Sequence, residues 1–240
     1  TLDAQGQGRV LSIIGNISPT IEGISVTGGN IVEWGNTPHE RNSGGEVYLI
    51  TATATLSNNQ IFSNTSRFGG GLYLQSSTAQ LNNNTIISNT SNNGGGLYLN
   101  HSKAMLGGNN ISTNTSIGGG GGLYLYYSPA TLDNNTVSNN IARGSEGGGG
   151  LYSSHSDTTL NGNTIVANTA QNGGGLEIWW GAPTLYRNTI ASNTIAYGQG
   201  GGLYLGSSDA TLNENIIVSN TTGTGLGGGL YLQNSPAILN

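Results

Sequence analysis

Apolar residues recur along this chain at fixed intervals, and those intervals define its architecture. A first anchor stands at Val47, Leu72, Leu97, Leu123, Leu151, Leu176, Leu203 and Leu230, usually within a string close to Gly-Gly-Gly-Leu-Tyr-Leu. Nine residues after each comes a second anchor: Leu56, Leu81, Leu106, Leu132, Leu160, Leu185, Leu212 and Leu239. Five further on stands a third: Ile61, Ile86, Ile111, Val137, Ile165, Ile190 and Ile217. Three beyond that there is always Asn, at Asn64, Asn89, Asn114, Asn140, Asn168, Asn193 and Asn220. All variation falls between this Asn and the next first anchor, an interval of 8, 8, 9, 11, 8, 10 and 10 residues. Three faces locked in register and one loop that absorbs insertions describe a solenoid.

The anchored segments are strands. Leu-Tyr-Leu and Ala-Thr-Leu-Asn alternate at period 2 with frequent β-branched residues, while Gly, Asn and Thr disfavour helix and no 3.6-residue period exists. Equivalent strands pair one coil apart at ~4.8 Å, and a full crossover between parallel strands favours a right-handed turn. The pattern therefore predicts an all-β, right-handed parallel β-helix (a β-solenoid) of about eight coils of 25–28 residues, with three strands per coil. Each coil buries about four large aliphatics, worth roughly 1.5–3 kcal/mol apiece, enough only when neighbouring coils cover both faces. The invariant Asn, and another at Asn59, Asn84, Asn109, Asn135, Asn163, Asn188 and Asn215, fit amide ladders at the bends. The Gly triplets suit a turn with positive φ before the first strand.

Residues 1–46 are less regular and read as one or two starting coils with a longer loop holding Trp34, His39, Glu40 and Arg41. Residues 47–240 carry the regular repeats, continuous with the first part as one solenoid. Thr1-Leu2-Asp3 and Ala237-Ile238-Leu239-Asn240 both look like the second strand of a coil without a polar cap. The expectation is a segment of a longer chain, or subunits that stack end to end with themselves.

Composition narrows the function. Charged residues make up 7 % of the chain against roughly 25 % in ordinary domains, and the net charge is −5. With six Lys and Arg in total, nucleic acid is excluded as an expected partner, because phosphate binding needs clustered cations. No apolar run is long enough for membrane insertion as a helix. The absence of Cys removes disulfides and thiolate metal sites.

The pairing of Gly69–Leu72 with Ile86-Ile87-Ser88-Asn89, repeated along residues 44–240, resembles the repeats of polymorphic outer-membrane-protein-type passengers and of large secreted bacterial β-helix proteins. The resemblance implies an extracellular or cell-surface protein with an adhesive or structural role.

Candidate chemistry is sparse. None of the Gly runs leads into Lys-Ser/Thr and a helix, as a phosphate loop would. His39, His101 and His155 show no ligand spacing, although His101 and His155 share one coil position two rungs apart. No metal and no cofactor is expected. Glu177, Asp157 and Glu146 are the acids near the first-strand face, but paired catalytic carboxylates are not evident there and no catalytic residue is assigned. The outward middle position of the first strand is more informative. It holds Tyr48, Tyr73, Tyr98, Tyr124, Tyr152, Tyr204 and Tyr231, interrupted once by Glu177, with Tyr126, Tyr127, Trp179 and Trp180 alongside. Cross-strand stacking and an exposed platform for sugars are both consistent with such a stripe. Three functions follow in order: an adhesive or structural scaffold, a glycan-binding β-helix using the aromatic face, and a polysaccharide lyase or hydrolase.

Overall fold

A regular coil of the computed structural model, which describes residues 1–31 and 46–240, runs through four strands: Val47–Ile50, Thr53–Ser57, Gln60–Phe62 and Thr65–Ser66. Each pairs in parallel with its equivalent in the next coil, Leu72 against Val47 and Leu97, Leu81 against Leu56 and Leu106, Ile86 against Ile61 and Ile111. The described residues form three sheets of nine strands and a fourth of eight.

This is the expected parallel β-solenoid, of about nine turns, with a short fourth strand in each coil beside the three expected. The fourth strand follows the invariant Asn and is two residues long, as at Thr65–Ser66 and Thr90–Ser91. Two residues are too few to display alternation, so the segment is invisible to a periodicity argument. The ninth turn comes from the N-terminal residues, where Leu11–Ile14 pairs with Val47–Ile50 and Thr20–Glu22 with the strand holding Leu56. Leu2–Asp3 pairs with Val26–Thr27 and so joins the third sheet, not the second as its residue types suggest. The loop containing Trp34, His39, Glu40 and Arg41 lies outside the described residues.

The corners rest on left-handed residues, and mostly not on glycine. In one coil Ser76, Asn83 and Ser88 hold φ of 48°, 54° and 57°, and Gly94 closes the coil at 66°. A single left-handed residue redirects the strand while both flanking segments stay extended, at a cost of about 1–2 kcal/mol for a side chain with a Cβ.

Leu72, Leu74, Leu81 and Ile86, and the apolar residues at their equivalent positions in the interior coils, are fully buried and form one continuous core. The two Asn ladders hold the bends beside it. In the second, Asn114 donates through Nδ2 to Ile86 O at 2.9 Å and Asn140 Oδ1 at 3.0 Å, while its own Oδ1 accepts from Asn89 N and Nδ2. Every amide group thereby finds a partner away from water.

A third ladder lies outside the apolar and Asn pattern. Ser77, Ser102, Ser128 and Ser156 accept through Oγ from the backbone N–H one rung back. Serine at a fixed offset from the first anchor is its signal in the sequence.

Candidate functional site

The Tyr column does stack, but it is not an exposed platform. Tyr48–Tyr73, Tyr73–Tyr98, Tyr98–Tyr124 and Tyr124–Tyr152 have ring centroids 5.5, 5.5, 4.8 and 4.7 Å apart. Tyr48 is 1 % exposed, and Tyr73, Tyr124, Tyr152 and Tyr204 are also buried; Tyr98 and Tyr231 are half-buried. The chain entering each first strand passes over the column, close enough that a Cβ on Gly120 would lie 2.9 Å from Tyr124 Cβ. The residues are outward on the sheet and inward in the molecule, so the reading as an exposed sugar platform is corrected for this column. Burial raises the hydroxyl pKa of Tyr73, Tyr98, Tyr124 and Tyr152.

The exposed rings stand one column over, at the left-handed corner after the first strand. Thr51, Ser76, Ser207 and Asn234 occupy this corner in four coils, and His101, Tyr127, His155 and Trp180 in the four consecutive coils between them. Their rings stack face to face, with His101–Tyr127 at 5.2 Å and 13°, Tyr127–His155 at 4.6 Å and 19°, and His155–Trp180 at 4.9 Å and 25°. Tyr127 is 42 % and Trp180 50 % exposed.

Rings stacked along the solenoid axis turn their faces to each other and their edges to solvent. Three rings escape this. Tyr126 stands at 79–83° to His101, Tyr127 and His155, and His101 and Trp180 end the stack, because the rungs beyond them carry Ser76 and Ser207. The two imidazoles are held apart by the whole Tyr127 ring. Nδ1 of His101 lies 2.7 Å from Asn100 Oδ1, and Nδ1 of His155 lies 2.9 Å from Ser154 Oγ.

Beneath this strip the repeat breaks on two adjacent rungs. Ser153 replaces the inward Leu and Thr158 the inward Ala; both are buried, with Oγ and Oγ1 3.2 Å apart. On the next rung Glu177 replaces Tyr, Gly181 replaces the ladder Ser, and Pro183 replaces the inward Ala. Ser208 Oγ bridges part of the break by donating to Ile178 O at 3.3 Å. In the other regular coils these columns repeat with one exception, Ala52 in the Ser column, so departures gathered at one place mark a site rather than drift.

Glu177 sits in register between Tyr152 and Tyr204 and is 3 % exposed. Its Oε1 accepts the Trp179 Nε1–H at 2.6 Å, while Oε2 lies against Gly147 without a hydrogen bond of normal geometry. Burial raises its pKa to about 7, opposed by the Trp179 and Gly147 N–H groups and reinforced by Glu146. The loop before Leu151, which has the longest interval among the regular coils, brings Glu146 to this region, where Glu146 Oε2 accepts the Tyr124 hydroxyl at 3.1 Å. Asp157, the third acid, instead accepts the Ala182 N–H at 2.8 Å.

Comparison with known proteins supplies the family. A family model described as periplasmic copper-binding protein (NosD) matches residues 91–235. A second model, described as right handed beta helix region, matches residues 12–137. No curated protein and no solved structure matches the chain. Each model covers more than half of the sequence, and together they span the nine turns and the ring strip. The chain therefore belongs to the right-handed β-helix proteins and, among them, to the NosD family.

Proposed function

We propose that this chain is a rigid extracytoplasmic β-helix scaffold whose adhesive surface is the ring strip, and that the surface takes carbohydrate. The observation that carries the reading is the gathering of Tyr126, Tyr127, Trp179, Trp180, His101 and His155 at a corner that bears small polar residues in the flanking coils. An exposed patch of this kind, built on rigid strands, is how proteins mark an interaction site. The available faces of Tyr126 and Trp180 suit the apolar face of a sugar ring, and the imidazole and carboxylate edges nearby suit its hydroxyls. The rung repeat of ~4.8 Å is close to the length of one pyranose unit in an extended polysaccharide, so such a chain fits parallel to the solenoid axis.

The location rests on two likenesses: the family is described as periplasmic, and the Gly-Gly-apolar repeats resemble those of bacterial surface proteins. Binding is favoured over catalysis because Glu177, the acid nearest the rings, is sealed under Trp179 and Gly147.

Copper enters only through the family description, and the donor groups do not fit it. Soft copper sites use thiolate, thioether and imidazole, with metal–nitrogen bonds near ~2 Å in imidazole sites. The chain has no Cys and one Met, Met105, exposed on the second sheet. His101 and His155 are separated by a stacked ring, and His39 lies outside the described residues. Among the described residues no three His, Cys, Asp or Glu converge.

A glycan array probed with the parent and with Trp180→Ser tests the reading. Ser already occupies this corner at Ser76 and Ser207, so the fold tolerates it. Retention on extended glycans falls at least tenfold in the variant while its circular dichroism is unchanged. Equal retention by both proteins, or none by the parent, refutes the proposal.

A further inference from the structure

The rung that breaks the repeat also contains the connection between the buried Tyr column and the exposed strip. Glu is shorter than Tyr and leaves the column incomplete between Tyr152 and Tyr204. Trp179, two residues on along the same face, turns back to that position. Its Nε1–H reaches Glu177 Oε1, and its ring lies 5.2 Å from Tyr204. The next rung makes room for the indole. Where other coils carry Gln75, Asn100, Tyr126, Ser154 or Gln233, this one has Gly206, and a Cβ there would lie 2.4 Å from Trp179 Cε3. On its other side Trp179 packs on Trp180 at 5.1 Å, and Trp180 stacks on His155. Glu177, Trp179 and Gly206 are three departures that explain one another.

We propose that Glu177 is the positioning residue of the ring surface: its buried carboxylate fixes the Trp179 indole, and through it Trp180, so that the surface is fully assembled while Glu177 is ionised. An ionised carboxylate accepts the indole N–H in a charge-assisted bond about twice as strong as a neutral one. Protonation weakens that bond, and among the described residues no other acceptor holds the indole nitrogen. Oε2 lies against Gly147 without a hydrogen bond of normal geometry, so it is the less firmly held of the two oxygens and the one open to a proton.

The groups facing Glu177 are few. Glu146 approaches from the loop and favours the protonated form; Tyr152 and Tyr204 flank it on the neighbouring strands; Tyr124 holds Glu146. On the strip side stand His155, stacked on Trp180, and Asp157, bonded to Ala182; Arg143 lies exposed on the loop that carries Glu146. Burial and this acidic neighbour together place the titration at about 7, within the range an extracytoplasmic protein meets.

The consequence for adhesion rests on the ring strip being the binding surface, but the device itself does not need a ligand to be seen. The chain has three Trp, so a nitrogen-15 spectrum of the Trp-labelled protein shows three indole N–H signals, and Trp179→Phe assigns one of them. Between pH 5 and 9 the Trp179 signal shifts with a single midpoint within about one unit of 7, and the Trp180 signal follows it. Glu177→Gln abolishes the transition and leaves the backbone amide pattern of distant coils in place. A Trp179 signal that does not move in the parent overturns the proposal, and that measurement needs the parent alone should the variant fold poorly. An identical transition in Glu177→Gln overturns it as well. Failure of the glycan array with the indole titration intact removes the carbohydrate reading and leaves Glu177 as the positioning residue.

Discussion

Replacing Asn114 by Ala in the middle of the second amide ladder tests the physical account of the fold most directly. Asn114 is fully buried, and its side chain makes four contacts: donations to Ile86 O and Asn140 Oδ1, and acceptance from the Asn89 backbone N–H and Nδ2. Alanine cannot replace any of them. The Asn89 N–H and the Ile86 carbonyl then lose this partner in a region closed to water, as does one Asn89 amide hydrogen. Each orphaned buried group costs about 1–3 kcal/mol, so the three together are expected to cost about 3–9 kcal/mol. The matched control is Asn220→Ala near the end of the same ladder. Asn220 still donates to Ile190 O and accepts from Asn193, but it is only half-buried, so water replaces much of what is removed. Its loss is about 1 kcal/mol. Urea unfolding followed by circular dichroism gives both values, with an unchanged m-value confirming that the exposed area is comparable. A loss below about 1.5 kcal/mol at Asn114, or equal losses at the two sites, refutes the idea that the ladder satisfies buried groups.

Two further outcomes concern stability. Restoring the repeat with Ser153→Leu and Thr158→Ala together replaces a buried hydroxyl pair by the Leu and Ala found at equivalent positions in other coils, and raises stability by about 1–3 kcal/mol. A lower urea midpoint for the double variant counts against reading that pair as a local sacrifice of stability. Glu46 is fully buried, accepts the Val10 N–H at 3.1 Å, and has its pKa raised by burial from 4.5 to about 8. The folded state keeps a proton that the unfolded state releases, so this group's contribution is full below about pH 4.5 and is lost as pH rises through about 8. At 1.36 kcal/mol per unit this amounts to a few kcal/mol, and Glu46→Gln flattens that part of the stability–pH curve; parallel curves for parent and variant would disprove it.

The solenoid was legible in the sequence because its core repeats in one dimension. Each coil meets only its neighbours, so the interval between anchors in the chain is also the register between strands in space. Leu72, Leu81, Ile86 and Asn89 recur at constant offsets, and the structure places each on its equivalents. Local residue types did not reveal the fourth strand or the register of the N-terminal coil holding Leu11–Ile14, because a strand of two residues has no period and an irregular coil is placed only by its pairing partner. The same limit applied to the site. The Tyr column, the Glu177 interruption and the neighbouring Trp pair were all visible as residues, but burial is not a property of one strand. Whether an outward Tyr faces water depends on the path of the loop above it, and the Gly-lined entry to each first strand covers the column. Exposure passes instead to His101, Tyr127, His155 and Trp180, each turned out at a left-handed corner. The sequence by itself determined the repeat, its ladders and the rung at which they break; the tertiary structure alone decided which rings are covered, because coverage is a relation between a strand and a loop whose length varies from coil to coil.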